Sequence, residues 1–249
     1  MILSAVSQPD LTGGPGFLGV LMLDTRFPRI VGDIGNPASL DFPVRYAVVA
    51  GASPQRVVRE RDASLLPPFL EAGRVLVGQG ACAITTSCGF LVLFQRALGE
   101  ALSVPVWSSS LLLVPELQAG LPAGRQVGVI TIDAASLGAE HLRAAGADPS
   151  TTPIEGIAPG SSLQRSLLGN LPTLNEPQAA LDVVAAGHRL VARCPQVATV
   201  VIECTNLPPY AAALRQALGL PVHDITTLLD DRWRRLAVAC GGPGAATTN

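Results

Sequence analysis

Two of the five cysteines have neighbouring residues that are typical of a catalytic thiol. Cys88 and Cys204 each follow a short apolar run and have hydroxyl or amide neighbours, in Thr-Thr-Ser-Cys-Gly-Phe and Val-Ile-Glu-Cys-Thr-Asn. A structural cysteine needs no such polar neighbours, whereas a working thiol must form a thiolate that serves as a base or nucleophile. We therefore predict that these two thiols are catalytic and that Cys82, Cys194 and Cys240 are ordinary packing residues.

The two cysteines occupy equivalent positions of an internal repeat. Pro105 and Pro221 each follow their cysteine by 17 residues, and ITTSCGF around the first aligns with VVIECTN around the second. A second register aligns GVLMLD with GVITID, which places Asp24 opposite Asp133. Each cysteine should therefore end a buried strand and open a helix.

The elements that must position these cysteines alternate between short apolar runs and longer helical patterns, which indicates an α/β fold. We predict two pseudo-symmetric Rossmann-like halves with parallel sheets and the active site in the cleft between them, because ligands of open α/β sheets bind at the carboxyl ends of the strands. The predicted strands are Phe17–Leu23, Val44–Val49, Ala81–Thr86, Val104–Trp107, Val127–Ile132, Val197–Glu203 and Leu220–His223. The predicted helices are Leu65–Gln79, Phe90–Leu102, Glu176–Ala192, Pro208–Leu218 and Thr226–Ala239.

The same patterns give a domain plan. It consists of an N-terminal segment (1–16), a first α/β half (17–110), a second α/β half (111–225), a C-terminal helix (226–240) and a disordered tail (241–249). The Pro/Gly-rich loop from Pro28 to Pro43 is either a lid over the cleft or an ordinary surface loop.

Composition excludes several classes of function. All 17 basic residues are arginines, so a pyridoxal phosphate Schiff base and a Walker-type phosphate loop, which both need lysine, are excluded. A net charge of −2 gives no basic surface for nucleic acid. The three histidines have no metal-ligand spacing, so we expect no metal. The apolar runs are too short for a membrane span, and an odd cysteine count without a secretion signal favours the cytoplasm.

One motif resembles a known superfamily. The run from Glu203 to Pro208, Glu-Cys-Thr-Asn-Leu-Pro, is similar to the glutamate racemase motif Gly-Cys-Thr-His-Tyr-Pro, with Asn206 at the histidine position. Asp24 and Thr25 resemble the Asp-Ser that opens glutamate racemases. Gly89, after the first cysteine, resembles the Cys-Ala-Gly of hydantoin racemases rather than the Asn-Thr of amino-acid racemases. Over nearly the whole chain the sequence resembles the aspartate/glutamate racemase superfamily, which includes arylmalonate decarboxylases and maleate cis-trans isomerases.

This resemblance implies a cofactor-independent racemase or epimerase. Two acid/base groups must flank one carbon next to a carboxylate, and we expect Cys88 and Cys204 to fill these roles, with their pKa lowered at helix N-termini. The substrate would be a small acid such as an amino acid or hydantoin. The residues expected to bind it, through hydroxyl, amide and backbone N–H groups or, for the aspartate, through the substrate amino group, are Asp24, Thr86, Ser87, Gly89, Phe90, Thr205 and Asn206.

Three alternatives share the same fold. The two turns from strand to helix that carry Cys88 and Cys204, which we call the cysteine corners, also suit a decarboxylase of 2-substituted malonates, which needs one cysteine. They suit a maleate-type cis-trans isomerase as well. A non-catalytic protein that binds small acids would also fit, because fold alone does not decide function. The expected partner is a small carboxylate-bearing molecule, not nucleic acid or membrane, and a homo-oligomer is compatible with this.

Overall fold

The computed structural model describes residues 16–239, with side chains described up to residue 236. The predicted N-terminal segment other than residue 16, the predicted disordered tail 241–249 and Cys240 lie outside the described residues. Within the described part, the chain forms two four-stranded parallel sheets with helices packed against them. This confirms the predicted α/β fold with two parallel-sheet halves.

The sheets have matching topology. The first has the strand order β2-β1-β3-β4 and the second the order β6-β5-β7-β8. The strands are β1 (Phe17–Leu23), β2 (Val44–Val49), β3 (Ala81–Thr86), β4 (Val106–Trp107), β5 (Gln126–Thr131), β6 (Ile154–Gly156), β7 (Val197–Ile202) and β8 (Val222–His223). The α-helices are α1 (Leu66–Gly78), α2 (Gln95–Ala101), α3 (Leu113–Ala119), α4 (Ala139–Ala144), α5 (Ser162–Leu168), α6 (Glu176–Arg193), α7 (Ala211–Leu218) and α8 (Ile225–Ala239).

The inner strands are apolar because both faces of each sheet are covered. All seven residues of β1 are buried, although neighbouring side chains of a strand point to opposite faces. A parallel sheet with helices on both faces produces this continuous apolar pattern.

Packing explains why the internal repeat has glycine at one pair of equivalent positions. Gly19 in β1 and Gly128 in β5 are equivalent, and each lies under a helix. A Cβ atom on Gly19 would lie 3.0 Å from Leu76 Cδ1 in α1, and one on Gly128 would lie 2.8 Å from Leu190 Cδ2 in α6. The absence of a side chain at these positions lets the helices pack closely on the sheet.

The two cysteine corners have the same local fold. After β3 the chain passes through Cys88 into a 3-10 helix (Gly89–Phe94), and then into α2 and β4. After β7 it passes through Cys204 and a turn into a 3-10 helix (Pro208–Tyr210), and then into α7 and β8. The predicted helices that follow the cysteines therefore begin as 3-10 helices.

The sequence analysis did not predict four short elements, namely α3, α4, α5 and β6. The three helices have six or seven residues and β6 has three. Helical periodicity needs a window of about 11 residues to be recognised, so segments of this length give no clear pattern. The segment from Ser110 onward packs on the second sheet: the Ser110 hydroxyl donates to the carbonyl of Ile202 (2.7 Å), and α3 contacts β5 and β7. The predicted division of the halves at residues 110 and 111 stays a prediction.

Candidate active site

Cys88 and Cys204 lie beyond the carboxyl ends of β3 and β7 and line one cavity between the two halves. The cavity encloses about 360 Å³, open solvent at its mouth included. Both thiols are buried, with exposed fractions of 9% and 7%. The cavity is lined by Leu23, Phe27, Pro54, Val58, Ser87, Cys88, Gly89, Phe90, Ile132, Leu167, Leu168, Glu203, Cys204, Thr205 and Asn206.

The backbone is arranged in the same way around the two cysteines. The carbonyl of each cysteine accepts a 3.1 Å hydrogen bond from the backbone N–H three residues later. The backbone N–H two residues later, that of Phe90 for Cys88 and that of Asn206 for Cys204, lowers the pKa of each thiol. The repeat seen in the sequence is therefore a repeat of hydrogen-bond geometry around two thiols.

The corners touch each other through two equivalent contacts that differ chemically. The Thr205 hydroxyl donates a 2.6 Å hydrogen bond to the carbonyl of Ser87. At the related positions, Gly89 packs against Glu203, and a Cβ on this glycine would lie 2.3 Å from Glu203 Oε1 and 2.5 Å from its carbonyl oxygen. A carboxyl group thus occupies the space that a side chain at residue 89 would need.

The side chain of Glu203 is fully buried in the cavity wall. Oε2 accepts a 2.6 Å hydrogen bond from the Thr131 hydroxyl, and Oε1 has no hydrogen-bond partner among the described residues. Burial raises the pKa of Glu203 from 4.5 to about 8, and the bond from Thr131 opposes part of this rise. At neutral pH the protonated form of this carboxyl group is therefore favoured.

The thiols are less acidic than the sequence analysis predicted. Burial, followed by the nearby Glu203, raises the pKa of Cys88 to about 12, while the N–H of Phe90 and the guanidinium of Arg29 lower it. Burial and Glu203 also raise the pKa of Cys204 well above its usual value. The expectation that helix N-termini lower these pKa values was wrong, because desolvation outweighs the N–H groups.

Asn206 connects the second corner to the loop from Pro28 to Pro43. Its side-chain Oδ1 lies 3.6 Å from the sulfur of Cys204, and its Nδ2 donates to Asp33 Oδ2 at 2.7 Å. The other oxygen of Asp33 pairs with Arg29 Nη1 at 2.9 Å. This loop is therefore tied to the cavity by the hydrogen bond from Asn206 to Asp33, whose carboxylate is held by the ion pair with Arg29.

Two of the predicted binding residues lie outside the cavity lining. Asp24 is exposed, and its carboxylate accepts a hydrogen bond from the Gly51 N–H at 3.2 Å. Thr86 is buried, and its hydroxyl donates to the carbonyl of Ser108 at 2.7 Å. The structure brings the other predicted residues, Ser87, Gly89, Phe90, Thr205 and Asn206, together with the two cysteines.

A segment of the first half (52–62) lines part of the cavity and is fastened to the second half. It contains the π-helix Gln55–Arg59 and contributes Pro54 and Val58 to the cavity wall. Arg59 lies 3.4 Å from Asp133, and Arg61 forms an ion pair with Glu140. These contacts hold the two halves together next to the thiols.

Arg61 and Asn170, which each contact the opposite half, have strained backbone conformations. Both have φ of 50°, and among the described residues they are the non-glycine residues with positive φ. Arg61 contacts the second half, and Asn170, in the second half, accepts a 2.6 Å hydrogen bond from the backbone N–H of Arg26 in the first. Such strain persists where surrounding contacts hold the backbone, here where the halves meet around the cavity.

Sequence analysis missed Glu203 as a functional group. A signal was present, because an acidic residue directly follows the apolar run Val-Ala-Thr-Val-Val-Ile, where the repeat has Ser87 in the other half. The apolar wall formed by Phe27, Leu167 and Leu168 was also missed. It comes from segments far apart in the chain, so no local pattern could reveal it.

Among the described residues, no group of three or more His, Cys, Asp or Glu side chains is arranged to hold a metal ion. No helix in residues 16–239 is both long and apolar enough to cross a membrane.

No family model matches the sequence. The chain is 29% identical to a dimethylsulfoniopropionate lyase of Durusdinium sp. clade D, in an alignment that covers 86% of this chain and 72% of that protein. It is 31% identical to dimethylsulfoniopropionate lyase 3 of Emiliania huxleyi strain CCMP1516, over 84% of this chain and 57% of that protein. The chain thus spans little more than half the length of this second relative.

Three solved structures are similar to this fold. Arylmalonate decarboxylase superposes with a TM-score of 0.58 and 16% identity, over 88% of this chain and 92% of that one. A glutamate racemase from Bacillus anthracis gives 0.59 and 14%, over 91% and 83%. An aspartate racemase homologue from Pyrococcus horikoshii OT3 gives 0.57 and 13%, over 90% and 100%. The chain therefore shares the two-half α/β fold of these solved structures.

Proposed function

We propose that the protein is a cofactor-independent lyase that acts on 3-sulfoniopropionates such as dimethylsulfoniopropionate. A cavity thiolate removes a proton from the carbon next to the carboxylate, and the C–S bond at the next carbon breaks with its electron pair leaving on sulfur. The products are acrylate, dimethyl sulfide and one proton. The observation that supports this most is a single cavity with two thiols, in a chain 28–31% identical to dimethylsulfoniopropionate lyases over 84–93% of its length.

This reaction begins with the same step as racemisation, which explains how one fold can serve both. In each case a base removes a proton from the carbon next to a carboxylate, and the developing enolate needs hydrogen-bond donors. A racemase then returns a proton, whereas a substrate with a good leaving group at the next carbon eliminates it. The leaving group of the substrate therefore decides the product.

Backbone donors suited to the substrate carboxylate lie next to both thiols. The N–H groups of Cys88, Gly89, Cys204 and Thr205 donate to no protein acceptor among the described residues. Such groups stabilise a carboxylate and, more strongly, the charge of an enolate. The hydroxyl of Thr205 is used between the corners, so its contribution to binding comes through the backbone.

A cationic substrate would also favour formation of the thiolate. The pKa of both thiols is raised mainly by burial, so thiolates are scarce until a positive charge enters. A sulfonium group next to a thiol favours its charged form. The apolar walls formed by Phe27, Phe90 and Leu167 are suited to its methyl groups.

Racemisation or epimerisation of a small acid is the second candidate. It is favoured by the equivalence of Cys88 and Cys204, which present matched thiols from two related corners, as a two-base reaction requires. Elimination needs one base, so the two reactions make different demands on the cysteines.

Proton NMR in D₂O separates the candidates. The purified protein is incubated with dimethylsulfoniopropionate and, separately, with amino acids, hydantoins and 2-substituted malonates. Formation of acrylate and dimethyl sulfide supports the lyase, whereas deuterium exchange next to the carboxylate without cleavage supports the racemase. No reaction with dimethylsulfoniopropionate would contradict the proposal.

Single cysteine variants complete the test. For elimination, Cys88→Ala or Cys204→Ala should lower kcat by about 100-fold or more, the usual contribution of a general base, and the affected variant identifies the base. Racemisation should require both thiols. Cys194→Ala is the matched control, because this partly exposed thiol lies outside the cavity lining.

A further inference from the structure

We propose that the Glu203 carboxylate is the counter-charge for a cationic group of the substrate, and that it selects cationic propionates over neutral acids of the same shape. This inference rests on the proposed function, because it concerns the same cavity, and it names the substrate class that the cavity accepts.

The carboxyl group is held in place before any ligand binds. The backbone N–H of Glu203 donates to the carbonyl of Ile130 at 2.8 Å, and the Thr131 hydroxyl donates to Oε2 at 2.6 Å. Gly89 packs against the carboxyl group without offering a side-chain partner. One oxygen is thus fixed by a hydrogen bond, and Oε1, also buried, has no partner among the described residues.

An unpartnered carboxyl oxygen inside an apolar wall is costly to a folded protein, because burial removes its hydration without replacing it. Such a group in a ligand cavity is explained when the ligand supplies the missing partner. A cation at Oε1 would supply it and would restore the charge balance of the wall.

Glu203 has no protein cation to compete with the ligand. Among the described residues that line the cavity, none is arginine or histidine, and Glu203 is the only acidic residue. Arg29, the basic side chain that lowers the pKa of Cys88, is paired with Asp33 at 2.9 Å, and Asp33 also accepts from Asn206. The charge of this neighbouring network is therefore already balanced.

Pairing Glu203 with a cation also affects the two thiols. The carboxylate raises the pKa of both Cys88 and Cys204, so a ligand cation that neutralises it removes this opposition to thiolate formation. Above the raised pKa of Glu203, about 8, where its carboxyl group is ionised, a neutral acid of the same shape leaves the opposition in place. Glu203 therefore links the binding of a cation to the activation of the base.

The test compares two ligands that differ in charge and hardly in shape. Binding of 3-(trimethylammonio)propionate and of its carbon isostere 4,4-dimethylpentanoate is measured by isothermal titration calorimetry at pH 8.5. We expect wild type to bind the cation about 10-fold or more tightly than the neutral acid. In Glu203→Gln this preference should fall to within about twofold, while binding of the neutral acid changes little.

Two further variants show whether the loss is specific to the charge. Glu203→Asp keeps a carboxylate and should restore part of the preference. Glu155→Gln, which removes a carboxylate from the ion pairs with Arg189 and Arg193 outside the cavity lining, should leave it unchanged. If Glu203→Gln does not fold, the wild-type comparison still decides, since equal affinity for the two ligands overturns the proposal.

The other outcomes are equally defined. A preference that survives in Glu203→Gln, or failure of wild type to bind either ligand, overturns the inference. Release of dimethyl sulfide without a preference for the cation supports the lyase but not the role of Glu203. A preference for the cation without any cleavage supports Glu203 as the counter-charge and rejects the lyase.

Discussion

The Thr205 hydroxyl donates a 2.6 Å hydrogen bond to the backbone carbonyl of Ser87, and so ties the second cysteine corner to the first. Both residues are buried, with exposed fractions of 1% and 2%. The two thiols keep their relative position partly through this bond, because Ser87 and Thr205 are each the immediate neighbour of a cysteine.

Loss of this bond should reduce both stability and turnover. We expect Thr205→Val to lower the free energy of unfolding by about 1–3 kcal/mol, because the Ser87 carbonyl would be left buried without its side-chain donor. Urea unfolding and kcat measure the two effects. Thr205→Ser keeps the hydroxyl and should remain close to wild type; equal losses in both variants would show that the methyl group matters instead.

A side chain at residue 89 should damage the site. In Gly89→Ala the new methyl group would meet Glu203 Oε1 at 2.3 Å and the Glu203 carbonyl at 2.5 Å, so the corner must shift. We expect a drop in kcat of about 100-fold, as for small displacements of reacting groups. Gly99→Ala in α2 is the matched control, because a Cβ there meets nothing within 4 Å. It should keep full activity and gain roughly 0.5–1 kcal/mol of helix stability. Wild-type activity in Gly89→Ala would contradict the tight contact.

Stability should fall as pH rises through the range in which Glu203 ionises. Its pKa is raised from 4.5 to about 8 in the folded protein, so the folded state holds the proton more tightly than the unfolded state. The stabilisation is complete below about pH 4.5 and is lost as pH rises to about 8. Unfolding free energies at pH 5 and pH 8.5 measure this loss, which Glu203→Gln should reduce. The thiols of Cys88 and Cys204, which face this carboxyl, have raised pKa values, so they do not ionise within the window. An identical pH dependence in the variant would exclude Glu203 as its source.

The ion pairs of the segment 52–62, which lines part of the cavity, should control access to the thiols. Arg61→Ala removes the ion pair with Glu140, whose partners are 39% and 46% exposed, so stability should change by less than about 1 kcal/mol. Alkylation of Cys88 and Cys204 by iodoacetamide should nevertheless become several-fold faster, as measured by mass spectrometry of each peptide. Arg96→Ala, which breaks an exposed pair within α2, is the control and should not alter these rates. Unchanged alkylation rates in Arg61→Ala would show that this ion pair does not limit access to the thiols.

The sequence by itself determined the fold and the two corners. Apolar strands alternating with helices indicate parallel sheets, and the equal spacing from each cysteine to its proline makes Cys88 and Cys204 equivalent. These features are local or repeat along the chain, which is why they can be read without a structure. The short elements α3, α4, α5 and β6 gave no such signal, because each is shorter than the window that periodicity needs.

Only the tertiary structure decided the chemistry of the cavity. Helix N-termini predict acidic thiols, yet burial raises the pKa of both, because desolvation depends on everything packed around a sulfur rather than on its neighbours in the chain. The sequence placed Asp24 with the substrate, whereas the fold leaves it exposed and brings in Glu203 against Gly89, 114 positions earlier in the chain. A carboxyl group acquires this environment only where two halves of the chain meet, and no local pattern records which residues meet there.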